Sequence, residues 1–213
     1  MTPAESSHQA EEICRLAPVV PVLVVDDAGI AAELAQALVA GGLPALEITL
    51  RTPAAFDAIR EMAQVDGGVV GAGTLLTADD VVAAKEAGAL FGVTPGTTER
   101  LLDAALDAEL PLLPGSATAS EALRLLECGY YVQKFFPAEA SGGVPALKAI
   151  GAPIPQVKYC PTGGVNLANA TDYLALSNTI CVGGSWVAPN DAVAKRDWQR
   201  IEMLAEEAAS LIG

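Results

Sequence analysis

At 213 residues, with 52% hydrophobic side chains, the chain is long enough to bury one sizeable core, and a single domain over 1–213 is the expectation. No stretch reaches the roughly 20 uninterrupted apolar residues that a membrane helix needs, and Met1–Ala10 lacks the basic start and apolar run of a secretory signal, so a cytoplasmic protein with no membrane partner is predicted. A formal net charge of −14 argues against a nucleic-acid partner, because phosphate backbones are gripped by clustered Lys and Arg.

Cys14, Cys128, Cys160 and Cys181 are scattered without a C-x-x-C pair and are expected to be reduced, buried thiols. The first predicted element is a helix over Glu5–Leu16, part of a helical extension over 1–17 placed to cover the N-terminal mouth of a barrel. After it, short β-branched or apolar runs recur about every 24 residues, each followed by an Ala/Leu/Glu-rich segment of helical spacing. Strands are predicted over Val19–Val25, Ala45–Leu50, Gly68–Thr74, Leu90–Pro95, Leu110–Gly115, Tyr130–Phe136, Gln156–Pro161 and Thr179–Ser185. Helices are predicted to begin near Ala28, Pro53, Ala78, Thr97, Thr118, Gly143, Asn166 and Asp191, often beside a Thr, Asp or Pro suited to a first turn. This βα repeat predicts an α/β fold, a (βα)8 TIM barrel in one domain, compact against the roughly 250 residues usual for such barrels. A doubly wound open sheet is the rival architecture.

Barrel chemistry sits at the C-terminal ends of the strands. Those ends are rich in glycine and small hydroxyl residues, including Gly71-Ala72-Gly73-Thr74, Pro95-Gly96, Thr162-Gly163-Gly164 and Gly183-Gly184-Ser185. His8, the only histidine, lies near the N-terminus, which argues against histidine base catalysis and histidine-ligated metal in the fold. Of the five lysines, Lys85, Lys148 and Lys195 fall in helical segments and Lys158 near the start of its strand, leaving Lys134 late in a strand among Tyr130, Tyr131, Val132, Phe135, Phe136 and Pro137. An apolar setting disfavours an ammonium, and a neutral amine is what imine formation requires. By position alone, Lys134 is either that nucleophile or a strand lysine whose stem packs while its head reaches water.

A period of two places Glu47, Thr49 and Arg51 on one face of the second strand, with Leu46, Ile48 and Leu50 on the other. Glu47 suits proton transfer and Arg51 suits a carboxylate, and the two also suit a buried ion pair with each other. The glycine-rich ends after the seventh and eighth strands stand where barrels commonly hold phosphate, with backbone N–H groups and helix N-termini supplying positive potential inside an acidic protein. A plain turn is the other reading of each Gly-Gly pair.

The chain resembles the 2-keto-3-deoxy-6-phosphogluconate and 2-keto-4-hydroxyglutarate aldolases. The resemblance rests on Pro18-Val19-Val20-Pro21-Val22, Leu46-Glu47-Ile48-Thr49-Leu50-Arg51-Thr52, Gly71-Ala72-Gly73-Thr74, Pro95-Gly96, Lys134-Phe135-Phe136-Pro137-Ala138-Glu139-Ala140, Cys160-Pro161-Thr162-Gly163-Gly164 and Gly183-Gly184-Ser185-Trp186. It implies that Lys134 is a Schiff-base lysine, Glu47 the acid/base, and Arg51 with Thr74 the grip on a pyruvyl carboxylate. It implies phosphate contacts from Gly163, Gly164, Gly184 and Ser185, a pocket lined by Thr162 and Phe136, and a rim contact at Pro95. It further implies an eight-stranded barrel, a homotrimer, a phosphorylated keto-acid substrate with pyruvate as product, and neither metal nor organic cofactor. The aldolases of the galactonate epimer are similar, but tend to have a neutral residue where Arg51 stands and to lack the Cys-Pro-Thr lead into the paired glycines. A phosphosugar-binding barrel without catalysis and a pyridoxal phosphate aldimine at Lys134 are the readings from other classes.

Overall fold

A computed structural model of the chain describes residues 1–211. Helix α1 (Pro3–Cys14) starts on a capping box in which Thr2 and Glu5 exchange side-chain to backbone hydrogen bonds, satisfying N–H groups that a first turn leaves free. There follow β1 (Val19–Leu23), a 3-10 turn at Ala28–Ile30, α2 (Ala31–Ala40), β2 (Ala45–Thr49), α3 (Ala55–Met62), β3 (Val69–Gly73), α4 (Ala78–Glu86), β4 (Phe91–Val93) and α5 (Glu99–Asp107). The second half holds β5 (Leu112–Leu113), β6 (Gly115–Ser116), α6 (Ala119–Glu127), β7 (Val132–Phe135), α7 (Gly143–Gly151), β8 (Lys158–Pro161), α8 (Ala170–Leu174), β9 (Val182–Gly184), α9 (Asn190–Ala194) and α10 (Trp198–Ala209). Thr77, Thr98 and Thr118 cap α4, α5 and α6 through their hydroxyls.

The strands form a parallel sheet in the order β5-β4-β3-β2-β1-β9 and a second in the order β6-β7-β8. In the second, Lys134 lies opposite Gly115 on one side and Cys160 on the other. Two isolated parallel bridges, Tyr159 to Thr179 and Thr162 to Gly183, connect β8 and its end to β9 and the residues before it. The strand predicted over Leu110–Gly115 is two short pieces on either side of Pro114, because proline has no N–H for the ladder. The Gly115 N–H turns instead to the Thr94 hydroxyl at 3.1 Å, while the Pro114 carbonyl accepts from the Lys134 N–H at 2.9 Å.

Alternation along the strands sorts the apolar side chains into two clusters. Leu46, Ile48, Leu112, Phe135, Tyr159 and Val182 pack with the helices. Their neighbours Ala45, Leu113, Val132, Cys160 and Cys181 join Val20 and Phe91 in a smaller cluster that also takes Cys14 from α1. Helix α1 lies against the starting ends of the strands: the Ser6 hydroxyl accepts from the Leu112 N–H at 3.0 Å, and the Ser7 hydroxyl accepts from the N–H groups of Tyr131 and Val132 at 3.0 and 2.9 Å. The predicted helical extension is therefore present, two residues earlier than expected at each end.

Three other expectations are corrected. The segment after Asn166 is a turn, and α8 begins only at Ala170. The final helical segment is two helices, because Arg196 takes a left-handed conformation at φ +53° and Asp197 then caps α10 by accepting from the Arg200 N–H. Cys128, expected to be buried, is half-buried at the end of α6, while Cys14, Cys160 and Cys181 are buried; all are free thiols. Among the described residues no helix is long and apolar enough to cross a membrane.

Candidate active site

Strand β7 turns Lys134 away from the helices. Its neighbour Gln133 occupies the opposite face, where the carboxamide donates to the carbonyls of Ala122 and Tyr130, both at 3.0 Å. Lys134 Nζ lies 3.0 Å from Glu47 Oε1 and 3.3 Å from Oε2, with the two residues 5% and 3% exposed. The setting is thus less apolar than the sequence neighbours of Lys134 implied: its head meets a carboxylate from β2, and the ring of Phe136 stands 5.3 Å away. A buried ammonium and carboxylate are tolerable together where either alone is costly.

Strand β3 can approach Glu47 only because residue 73 is glycine: a Cβ there would fall 2.2 Å from Glu47 Oε1. Thr74, the next residue, is held at φ +62°, an outlying conformation for a β-branched side chain and a form of strain that clusters at functional sites. Pro95 is half-buried, with its carbonyl packed on Gly115, where a Cβ would come within 2.5 Å.

The expected Glu47–Arg51 pair is not made. Strand β2 ends at Thr49, the Arg51 N–H folds back onto the Thr49 carbonyl at 2.8 Å, and the alternation that would have brought Arg51 beside Glu47 stops there. Arg51 is exposed, carries no ion pair among the described residues, and borders a cavity of about 810 Å³. Phe136, Thr162, Gly163, Gly164, Gly184 and Ser185 border the same cavity, as do Val22, Leu34, Trp186 and Val193. Lys134, Glu47, Thr74 and Pro95 are not on that boundary; Phe136, which faces the cavity and stacks on Lys134, joins the two parts of the site.

The glycine loops come close to the cavity for steric reasons. At Gly183 a Cβ would lie 2.2 Å from the Thr162 hydroxyl, and at Gly184 it would lie 1.7 Å from the Trp186 ring. Gly163 and Gly164 take φ of +100° and +82°, which glycine adopts without penalty. Their loop does not open a helix directly, contrary to expectation: the Gly164 carbonyl accepts from the side-chain amides of Asn166 and Asn169 at 3.1 and 3.3 Å, and α8 follows later. The N–H groups of Gly164 and Val165 meet no acceptor among the described residues and so remain open as donors at this end.

Sequence reasoning missed Gly73 as the residue that admits Glu47, although strand register set side by side would have revealed it, because Glu47 and Gly73 stand diagonally across paired strands. It also gave no role to Glu139, which borders the cavity and accepts a hydrogen bond from the buried Tyr173 hydroxyl. Burial, and then that carboxylate acceptor, push the Tyr173 phenol up from its ordinary range.

Residues 10–204 match the family model described as KDPG and KHG aldolase. The chain is 51% identical over 200 residues to the KHG/KDPG aldolase of Escherichia coli (strain K12), covering 93% of this chain and 94% of that protein. It superposes with a TM-score of 0.92 on the 2-keto-3-deoxy-6-phosphogluconate aldolase of Zymomonas mobilis ZM4 with 3-phosphoglycerate, at 47% identity over 96% of this chain and 97% of the other. A KDPG aldolase from Legionella pneumophila, with pyruvate captured as a covalent carbinolamine intermediate, superposes at 0.91 with 44% identity over 94% and 98% of the two chains.

Proposed function

This chain belongs to the KDPG and KHG aldolase family, and we propose that it cleaves 2-keto-3-deoxy-6-phosphogluconate to pyruvate and D-glyceraldehyde 3-phosphate through a Schiff base on Lys134. The same imine chemistry serves 4-hydroxy-2-oxoglutarate, giving pyruvate and glyoxylate. The observation that carries the reading is the buried Lys134–Glu47 pair beside the cavity.

Lys134 gives a proton to Glu47 and its free amine adds to the C2 ketone, forming a carbinolamine. Glu47 returns the proton to the carbinolamine hydroxyl, which leaves as water, and the resulting iminium draws electrons from the C3–C4 bond as the Glu47 carboxylate, directly or through water, takes the C4 hydroxyl proton. The aldehyde departs, leaving an enamine on Lys134. Protonation at C3 and addition of water then release pyruvate and restore the amine. Arg51, at the cavity wall with no ion pair among the described residues, and Thr74 hold the substrate carboxylate, with Pro95 at the rim. Gly163, Gly164, Gly184 and Ser185 receive the phosphate on N–H and hydroxyl donors, and Thr162 and Phe136 line the space between. No step calls for a metal or an organic cofactor.

We extend the proposal to architecture: the two sheets are parts of one eight-stranded (βα)8 ring in a single domain, with β5 and β6 as one strand interrupted at Pro114. The bridges from β8 to β9, the hydrogen bond from Lys134 to Pro114, and the inner apolar cluster drawn from strands of both sheets support it. A cytoplasmic homotrimer is the proposed working form, on the family resemblance and the free thiols.

Incubation with pyruvate and borohydride, followed by peptide mass mapping, tests the chemistry. A reduced pyruvyl adduct on Lys134 is expected, absent from K134M. A wild-type protein that cleaves substrate but gives no adduct on Lys134 overturns the proposal, and one that binds phosphosugar without cleavage favours a binding barrel.

A further inference from the structure

The cavity wall contains an acidic side chain where an anionic group is to be received, which is unfavourable unless the acid does something else. Glu139 follows the end of β7 and borders the cavity next to Gly164. Its stem is packed on that glycine so closely that a Cβ at residue 164 would fall 2.6 Å from Glu139 Cγ. Its backbone N–H donates to the Gly163 carbonyl at 3.0 Å, and the neighbouring Ala138 N–H donates to the Thr162 carbonyl at 2.8 Å. Its carboxylate accepts from the hydroxyl of Tyr173, a fully buried residue of α8. The Thr162–Gly164 loop is thereby strapped between the turn after β7 and the helix that follows the loop.

From the other side, Asn166 and Asn169 both donate to the Gly164 carbonyl. In a trans peptide the carbonyl and the next N–H point in opposite directions. Fixing the Gly164 carbonyl on the two carboxamides therefore fixes the direction of the Val165 N–H, and Val165 itself borders the cavity. Glycines at φ of +82° and +100° have many alternatives open to them, so a loop with two of them is poorly defined without such restraints.

We propose that Glu139 and Tyr173 are positioning residues for the anion-binding loop: their hydrogen bond across the loop holds the Gly164 and Val165 N–H groups in place for the phosphate of the substrate. The inference rests on the proposed phosphate end of the site. Tyr173 turns the carboxylate oxygen toward α8, so that the acid presents its stem to the loop.

The test compares the KM and kcat of wild type, Y173F, E139A and E139Q on the phosphorylated keto acid and on 4-hydroxy-2-oxoglutarate. Loss of the strap in Y173F or E139A is expected to raise KM for the phosphorylated substrate about tenfold, the cost of misplacing one hydrogen bond to a charged group, with kcat and the unphosphorylated KM within about twofold. E139Q keeps an acceptor for Tyr173 and is expected to restore the wild-type KM. Should E139A fail to fold, Y173F and E139Q decide the matter alone. Equal changes on both substrates, or no change in either, overturn the positioning role. A wild-type enzyme that shows no preference for the phosphorylated substrate instead overturns the phosphate site on which the role depends.

Discussion

Lys134 and Glu47 hold each other's charge in a nearly dry setting, so removal of either leaves the other exposed to the full cost of burial. K134M is expected to lose the pyruvate adduct and to destabilise the fold by about 3–5 kcal/mol, read from the shift in denaturant midpoint, while adding E47L to it returns much of that loss. E47Q keeps the shape and a hydrogen-bond acceptor but not the compensating charge, so its kcat is expected to fall about 10²–10⁴-fold and its melting temperature to fall as well. Gly73 supplies a different probe: G73A would place a methyl within 2.2 Å of Glu47 Oε1, so the carboxylate must move from Lys134, and kcat should fall while the amine remains. Retained kcat in G73A would mean that the observed Glu47 position is not the working one. At this scale the place of Lys134 late in a strand was legible, because elimination among five lysines needs only strand position, while its pairing with Glu47 was not. The Glu47–Arg51 pairing was misread because alternation assumes a strand that continues, whereas the turn after Thr49 depends on a backbone hydrogen bond that the side chains do not announce.

Repeated threonine caps and β-branched runs made most elements readable, since a cap and a period are local properties. The break at Pro114 and the division between α9 and α10 depend on which backbone groups find partners, and periodicity contains no such information. The place of α1 at the starting ends of the strands was legible, but its serine hydrogen bonds to them were not. Ser7 alone serves two strand N–H groups, so S7A is expected to lower stability by about 1–3 kcal/mol with turnover retained below the melting transition. The same helix meets β8 through Glu11, whose carboxyl burial pushes up but hydrogen bonds from Lys158 and Arg15 pull down further, leaving it below the ordinary 4.5. A lowered folded value means that this contribution is fully present above 4.5 and is lost as pH falls through the folded value. Acid unfolding of K158M should accordingly show a smaller loss of stability over that window than the wild type; identical acid profiles would remove Glu11 from the account.

Across the whole molecule, an enzyme carrying a net charge of −14 is proposed to collect a substrate with both a carboxylate and a phosphate. Near the cavity, Arg51 and the loop N–H groups offset this, but such local donors act over hydrogen-bond distances, whereas the approach is governed by the field of the entire surface. Salt separates the two ranges, because raising ionic strength from about 0.01 to 0.15 M shortens the Debye length from about 30 to 8 Å. Long-range repulsion is then screened while contacts inside the cavity are largely spared. With a monovalent salt, kcat/KM for the phosphorylated substrate is expected to rise about two- to fivefold across that range, and less for 4-hydroxy-2-oxoglutarate, which lacks the phosphate charge. A steady fall in kcat/KM with salt would mean that the cavity mouth presents a positive potential strong enough to reverse the global field, and Arg51→Met should then abolish the salt dependence.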